Sequence, residues 1–138
     1  MRMVEPTPTV PAQPECDLAL LIVEARYERI HAAYMLAASA AAMGRTVLLF
    51  GMGAGVCAFC REWAGLEDGA GASTRERAGV AGLDVLRDAV VEMGGVLMVC
   101  DSGVKTLGVG AVDLLEQVQV VGLPSFFDRA GNARQLVF

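Results

Sequence analysis

The chain has 138 residues, of which 54% are hydrophobic and 20% charged, and its formal net charge is −5. A chain of this length is sufficient for one domain whose core needs neither a zinc site nor a disulfide framework. The negative charge argues against nucleic acid as a partner, because that binding depends on clustered lysines and arginines.

The first 16 residues contain four prolines and are predicted to form a flexible tail. They lack the continuous apolar segment of a secretory signal. The longest apolar run, residues 32–43, is shorter than the ~20 residues that cross a bilayer, so we predict no membrane insertion. Four cysteines without a secretory signal are typical of a reducing compartment, which predicts a cytoplasmic protein.

The first predicted elements of the domain are a strand, a helix and a second strand. Residues 17–23 form a continuous apolar run, as in a strand that is covered on both faces. Apolar residues then recur at helical spacing from Ile30 to Ala41, and Gly44 is placed to end that helix in the left-handed conformation. Residues 46–50 are predicted to form the second buried strand.

Residues 51–82 are predicted to form a long, glycine-rich excursion that contains Cys57 and Cys60 and about one helical turn near residues 59–63. The helical period returns over residues 83–93. Residues 95–100 then form a third buried strand that ends at Cys100.

The remaining chain repeats the step from helix to strand. We predict a short helix over 111–116, a strand over 119–121, a helix that begins near Pro124 and ends at Gly131, and an edge strand over 134–138. This alternation predicts one α/β domain over residues 17–138. Its parallel sheet has about five strands in a flavodoxin-like order, with helices on both faces.

Cys100 is the first candidate for chemistry, because reactive groups in open α/β sheets collect outside the carboxyl ends of the strands. Backbone amides from Ser102 and Gly103 onward, and the charge of Lys105, would stabilise a thiolate there, whereas Asp101 would oppose it. The alternative is an inert cysteine, since unpaired core cysteines usually only pack.

Cys57 and Cys60 form a C-x-x-C motif, which is the second candidate. The motif is typical of a dithiol redox pair, and it also supplies two ligands of some metal sites. A metal site is disfavoured because the chain has no second C-x-x-C and only one histidine. We favour exchange of sulfur or a disulfide between one of these cysteines and Cys100.

The single histidine, His31, lies early in the first helix. If that helix starts near the loop after Cys100, the imidazole of His31 would promote formation of the Cys100 thiolate. The alternative is a partly exposed helix residue without a chemical role. No cofactor is predicted: Val56 replaces the last glycine of a dinucleotide fingerprint, and Val104 separates the glycine and lysine of a phosphate loop.

The element order and two segments carry a resemblance to a known family. The first segment, residues 99–108, is Val99-Cys-Asp-Ser-Gly-Val-Lys-Thr-Leu-Gly108. The second, residues 119–128, is Gln119-Val-Val-Gly-Leu-Pro-Ser-Phe-Phe-Asp128. Over residues 17–138 the chain resembles the DsrE/DsrF-like family of sulfur-relay proteins. The resemblance implies a small subunit that assembles into dimers, trimers or hexamers. It also implies that Cys100 carries a persulfide and exchanges sulfur with a donor or acceptor protein.

Two functions follow as hypotheses. The first is a sulfur carrier, or persulfide sulfurtransferase, that uses Cys100 with Cys57 or Cys60 as a relay or resolving thiol. The second is a non-catalytic oligomeric or ligand-binding subunit whose cysteines are structural. A flavin-binding protein of flavodoxin type is disfavoured, because no serine- and threonine-rich phosphate loop follows the first strand.

Overall fold

The computed structural model describes residues 15–63 and 66–138. Within these residues, five strands form one parallel sheet. They are β1 (Leu18–Ile22), β2 (Val47–Gly51), β3 (Val96–Cys100), β4 (Gln119–Val121) and β5 (Arg134–Val137). The predicted single-domain α/β fold is confirmed. Most of the predicted tail, residues 1–14, lies outside the described residues.

Five α-helices connect the strands in the described part of the chain. They are α1 (Tyr27–Ala42), α2 (Gly71–Arg77), α3 (Leu83–Glu92), α4 (Asp101–Leu107) and α5 (Leu123–Ala130). Gly44 follows α1 with a φ of 83°, the left-handed conformation that the sequence predicts. None of these helices has the length and apolar character needed to cross a membrane.

The loops differ from the prediction at three places. The helical turn expected near residues 59–63 lies earlier, as a 3₁₀ helix over Gly53–Phe59. The helix expected over 111–116 is a 3₁₀ turn over Ala111–Asp113. The excursion also contains α2, and none of the residues of this helix is buried. A helix without a buried apolar face leaves no periodic signal in the sequence.

The strand order is β4-β3-β2-β1-β5, which corrects the flavodoxin-like order β2-β1-β3-β4-β5. Three successive connections step in one direction from β1 to β4, and the last returns across the sheet to place β5 beside β1. Because such connections are right-handed, a reversed step places its helix on the opposite face. Helix α5 therefore covers the face opposite to α1 and α3. The alternation of strands and helices does not encode the direction of each step.

The two faces of the sheet have separate cores, and β3 contributes to both. Leu97 and Val99 belong to the larger cluster, which includes the buried residues of α1 and α3. Met98 and Cys100 belong to the smaller cluster, which includes Phe126 of α5. Alternate residues of a strand point to opposite faces, so the sheet separates Cys100 from the larger cluster.

Two glycines hold the 3₁₀ helix close to its neighbours. A Cβ atom at Gly55 would lie 1.8 Å from the carbonyl oxygen of Ile22, at the end of β1. A Cβ atom at Gly103 in α4 would lie 2.8 Å from Cγ2 of Val56 and 2.9 Å from the backbone nitrogen of Gly53. Only glycine permits backbone contacts this close. The glycine-rich segment thus gathers the chain that follows β1, β2 and β3 at one edge of the sheet.

Candidate functional site

Cys100 lies where the connections from neighbouring strands turn to opposite faces. It ends β3 and pairs in register with Val121, the last residue of β4. The chain after β3 enters α4, whose Val104 packs on the larger cluster, and the chain after β4 enters α5 on the other face. Ligands in open α/β sheets bind outside the strand ends at such a switch point. Cys100 thus ends a strand of the parallel sheet, as the sequence predicts.

The Cys100 side chain is only 4% exposed, but its sulfur has polar neighbours. Ser102 Oγ lies 3.0 Å from Cys100 Sγ, and Asp101 Oδ1 lies 3.8 Å from it. The backbone N–H of Ser102 donates to Asp101 Oδ1 at 2.8 Å. The aspartate thus takes an amide of the first turn that a sulfur anion would otherwise use. The hydroxyl of Ser102 is the donor that remains beside the sulfur.

Gly103 and Lys105, which were also expected to support Cys100, have different surroundings. Gly103 is buried, and its role is the close approach of α4 to the 3₁₀ helix. Lys105 is exposed in the last turn of α4, and among the described residues no hydrogen bond or ion pair of its ammonium group is found. Its charge is therefore not directed at the sulfur by any contact of this kind.

The C-x-x-C motif occupies the end of the 3₁₀ helix. Cys57 lies in its last turn and Cys60 immediately follows it, and the N–H of Cys60 donates to the carbonyl oxygen of Cys57 at 3.3 Å. Both thiols are half-buried, and both pack against the larger cluster. The structure thus brings Cys57 and Cys60 together. It places Cys100 in the other cluster.

Both cysteines of the motif line a cavity of about 460 Å³ at the carboxyl edge of the sheet. Leu107, Val109 and Val112 form much of its apolar wall, and Arg61, Glu62 and Asp113 add charge. Pockets with mainly apolar walls and a few polar groups are typical of small-molecule sites. This cavity is therefore the natural place for a ligand to meet the two thiols.

Burial and neighbouring negative charge raise the pKa values of both cysteines of the motif. Burial, followed by the negative charge that Cys60 would carry, raises the pKa of Cys57 from 9.0 to about 11. Burial and then Asp113 raise the pKa of Cys60, and the positive charge of Arg87 opposes this shift. Both side chains are therefore thiols at neutral pH.

Arg87 anchors the motif, a role that was not predicted from the sequence. This arginine is 3% exposed, and its Nη1 donates to the carbonyl oxygens of Ala58 at 3.1 Å and Cys60 at 2.7 Å. Its guanidinium group also stacks on the ring of Trp63. Leu83, Arg87 and Val90 are the buried residues of α3, at the spacing of one helical face. An arginine on that apolar stripe is the signal that would have identified it.

His31 contacts neither Cys100 nor solvent. It is 2% exposed, its Nε2 lies 2.9 Å from the carbonyl oxygen of Ala81, and its ring stacks on Tyr27. The expectation of a partly exposed histidine is thus not met, because the chain before α3 covers the ring. Its hydrogen bond gives it a structural role between α1 and that segment.

The fourth cysteine, Cys16, lies away from the motif. It is half-buried against the smaller cluster, and its thiol donates to the carbonyl oxygen of Leu18 at 3.4 Å. Across residues 15–63 and 66–138, no group of three or more histidine, cysteine or acidic side chains is arranged to hold a metal ion.

Comparisons with known proteins agree on the family and the fold. A search of the curated proteins found no match. The fold is similar to that of the ychN protein from E. coli in its crystal structure, with a TM-score of 0.67 and 17% sequence identity over 89% of this chain and 99% of that chain. The family model of the DsrE/DsrF-like family matches residues 18–138. The chain therefore belongs to the DsrE/DsrF-like family.

Proposed function

We propose that the protein carries sulfane sulfur as a persulfide on Cys100 and passes it to a partner thiol. Membership of the DsrE/DsrF-like family supports a sulfur-relay role. The observation that carries the assignment to Cys100 is the 3.0 Å approach of Ser102 Oγ to its sulfur at the switch point of the sheet. A hydrogen bond from this hydroxyl stabilises the negative sulfur on which both steps of a transfer depend.

The proposed transfer consists of two exchange steps at sulfur. In the first step the Cys100 thiolate attacks a sulfane sulfur of a polysulfide or persulfide donor. A new S–S bond forms, the S–S bond of the donor breaks, and the shortened donor leaves as an anion. In the second step an acceptor thiolate attacks the outer sulfur, and Cys100 leaves as a thiolate. Each step conserves the number of S–S bonds, so no external oxidant or reductant is needed.

The acceptor in this proposal is a thiol of another protein. Cys57 and Cys60 pack against the larger cluster, whereas Cys100 belongs to the smaller one. We therefore propose an acceptor thiol on another protein, in place of the relay from Cys100 to Cys57 or Cys60 that was expected from the sequence. The strong burial of Cys100 favours a small donor group, since only 4% of the residue is exposed.

We also propose that the protein is a cytoplasmic homo-oligomer. The four cysteines are unpaired thiols, which is typical of a reducing compartment. Val120, Leu123 and Phe127 leave apolar surface exposed around β4 and α5, and Phe127 is 60% exposed. Exposed apolar residues this close in the fold are typical of an interface between subunits.

The burial of Cys100 also favours a second candidate function, a non-catalytic subunit. A thiol among Phe50, Met98 and Phe126 fits a core that is filled by a small apolar side chain. In that case Cys100 only packs, and assembly or ligand binding is unchanged by its replacement with serine.

The experiment compares sulfur loading by the parent and two single variants. Each protein is treated with inorganic polysulfide and freed of excess reagent, and the sulfane sulfur that cyanide releases from it is measured as thiocyanate. Cys100→Ser is expected to lose most of the released sulfur, and Cys16→Ser, the matched control, to keep it. Equal release from the parent and Cys100→Ser would assign Cys100 to the second candidate function.

A further inference from the structure

A second thiol site is present on the other face of the sheet from Cys100. Cys57 and Cys60 open into the 460 Å³ cavity, and both are half-buried, whereas Cys100 is almost fully buried. The mechanism proposed for Cys100 uses neither of them. Their arrangement therefore requires its own chemical explanation.

The backbone turn brings Cys57 and Cys60 close to each other, and both residues line the same cavity. Residues three apart in a 3₁₀ helix are eclipsed, since the helix has about 3 residues per turn, and they are about 6 Å apart along its axis. A disulfide joins cysteines whose Cα atoms are about 4.4–6.8 Å apart. The bond from the Cys60 N–H to the Cys57 carbonyl oxygen shows that the turn continues to Cys60. The Cα spacing typical of such a turn thus falls within the range that a disulfide spans.

Buried side chains hold this turn in place. Arg87 Nη1 donates to the carbonyl oxygen of Cys60, and Tyr34 Oη donates to that of Ala58 at 2.7 Å. Arg87 and Tyr34 are both buried. Because these buried side chains already hold the turn, it loses little further conformational freedom when the two sulfur atoms form a disulfide. Formation of the disulfide is therefore favoured.

The cavity walls indicate what kind of molecule reaches the thiols. Leu107, Val109 and Val112 are apolar, while the same cavity is lined by one basic residue, Arg61, and by two acidic residues, Glu62 and Asp113. A small, uncharged molecule with short apolar arms fits such a lining better than a strongly charged one. The position outside the ends of β1 and β2 is also where open α/β sheets bind ligands.

We propose that Cys57 and Cys60 form a dithiol–disulfide exchange site, separate from Cys100, that reduces small uncharged disulfides. One thiolate attacks the small disulfide, so that a mixed disulfide forms and one small thiol is released. The second cysteine attacks the protein sulfur of the mixed disulfide, and the second small thiol is released. The two cysteines lose two electrons and two protons in total, and the small disulfide gains them.

This exchange differs from sulfur transfer in its electron balance, because the motif ends as a disulfide and must be reduced again by an external thiol. The high pKa of Cys57 is compatible with this exchange. A dithiol whose thiolate is not stabilised has no extra stability in its reduced form, so it gives up its electrons more readily. Exchange is consequently expected to accelerate as the pH rises from neutral.

The test uses a full-length protein in which Cys16→Ser and Cys100→Ser leave only the motif. It is treated with 2-hydroxyethyl disulfide, digested with trypsin and analysed by mass spectrometry. Cleavage after Arg45 and Arg61 yields one peptide, residues 46–61, that contains both remaining cysteines. We expect this peptide to lose the mass of two hydrogen atoms and to recover it when dithiothreitol is added.

The matched control adds Cys60→Ser to the same background. It is expected to stop at a stable mixed disulfide on Cys57, because no second thiol is present to resolve it. A mixed disulfide on each cysteine of the two-thiol protein, or no reaction at all while the fold is intact by circular dichroism, would overturn the proposal. Cys100 is absent from both proteins, so the result is independent of the proposed sulfur carrier.

Discussion

The hydroxyl oxygen of Ser102 lies 3.0 Å from the sulfur of Cys100, one residue beyond the aspartate that competes for the same helix terminus. This contact gives the thiol a polar partner within an apolar cluster of aromatic and aliphatic side chains. A hydrogen bond to a charged group contributes about 1.5–3 kcal/mol, which is more than a hydrogen bond between neutral groups contributes. Ser102 is therefore the residue on which the reactivity of Cys100 depends most.

Replacing Ser102 with alanine should slow sulfur loading of Cys100 by roughly tenfold or more, because the sulfur anion loses its hydroxyl donor. The rate is measured by mass spectrometry at successive times after inorganic polysulfide is added. Ser39→Ala, on the exposed side of α1, is the matched control and should load at the parent rate. An unchanged rate in Ser102→Ala would remove the hydroxyl from the account.

Replacing Asp101 with asparagine should accelerate alkylation of Cys100 several-fold at neutral pH. The substitution removes a negative charge 3.8 Å from the sulfur and keeps a side-chain oxygen for the Ser102 amide. Iodoacetamide labelling of the Cys100 peptide gives the rate. Asp88→Asn makes the same change of charge on the exposed side of α3 and should leave the rate unchanged. Slower labelling in Asp101→Asn would mean that the carboxylate assists the thiol.

Replacing Gly55 with alanine should destabilise the fold by about 1–3 kcal/mol or more, the cost typical of overpacking. The new Cβ atom would lie 1.8 Å from the carbonyl oxygen of Ile22, so the 3₁₀ helix must move away from β1. Urea unfolding measures the change. Gly69→Ala meets no atom within 4 Å and should remain within about 0.5 kcal/mol of the parent. Equal stability of the two variants would contradict the close approach.

The free energy of unfolding should fall as the pH rises from about 9 to about 11. The pKa of Cys57 is raised from 9.0 to about 11 in the folded protein, so within this range the unfolded chain releases the proton first. The stabilising effect of the retained proton is complete below pH 9 and is lost through the folded pKa. Urea unfolding at several pH values gives the slope. Cys57→Ala should make it shallower than in the parent, and an identical slope would argue against a buried thiol.

Much of the fold could be predicted because apolar runs and helical periods mark buried elements. The strand that ends at Cys100 is such a run, and Gly44 ends α1 as its position suggests. The strand order could not be predicted, because the chain pattern is the same whichever way a connection steps. Helix α2 left no signal because it buries no residue.

The candidate site was predictable in its residues but not in its grouping. Cys57, Cys60 and Cys100 all follow or end buried strands, and all lie near the same sheet edge. The face on which each thiol lies depends on the alternation within β3 and on the 3₁₀ turn, and neither can be located to one residue from the sequence. Arg87 was missed because a buried arginine looks like a surface residue until its neighbours Leu83 and Val90 are known to be buried.

The most direct test of the central claim measures one mass on a protein that retains only Cys100. The other three cysteines are replaced by serine, the protein is treated with inorganic polysulfide, and intact mass is recorded before and after a reductant is added. The account predicts a gain of one sulfur atom that the reductant removes, in proportion to folded protein. An unchanged mass in the folded protein would contradict the claim that Cys100 carries sulfur.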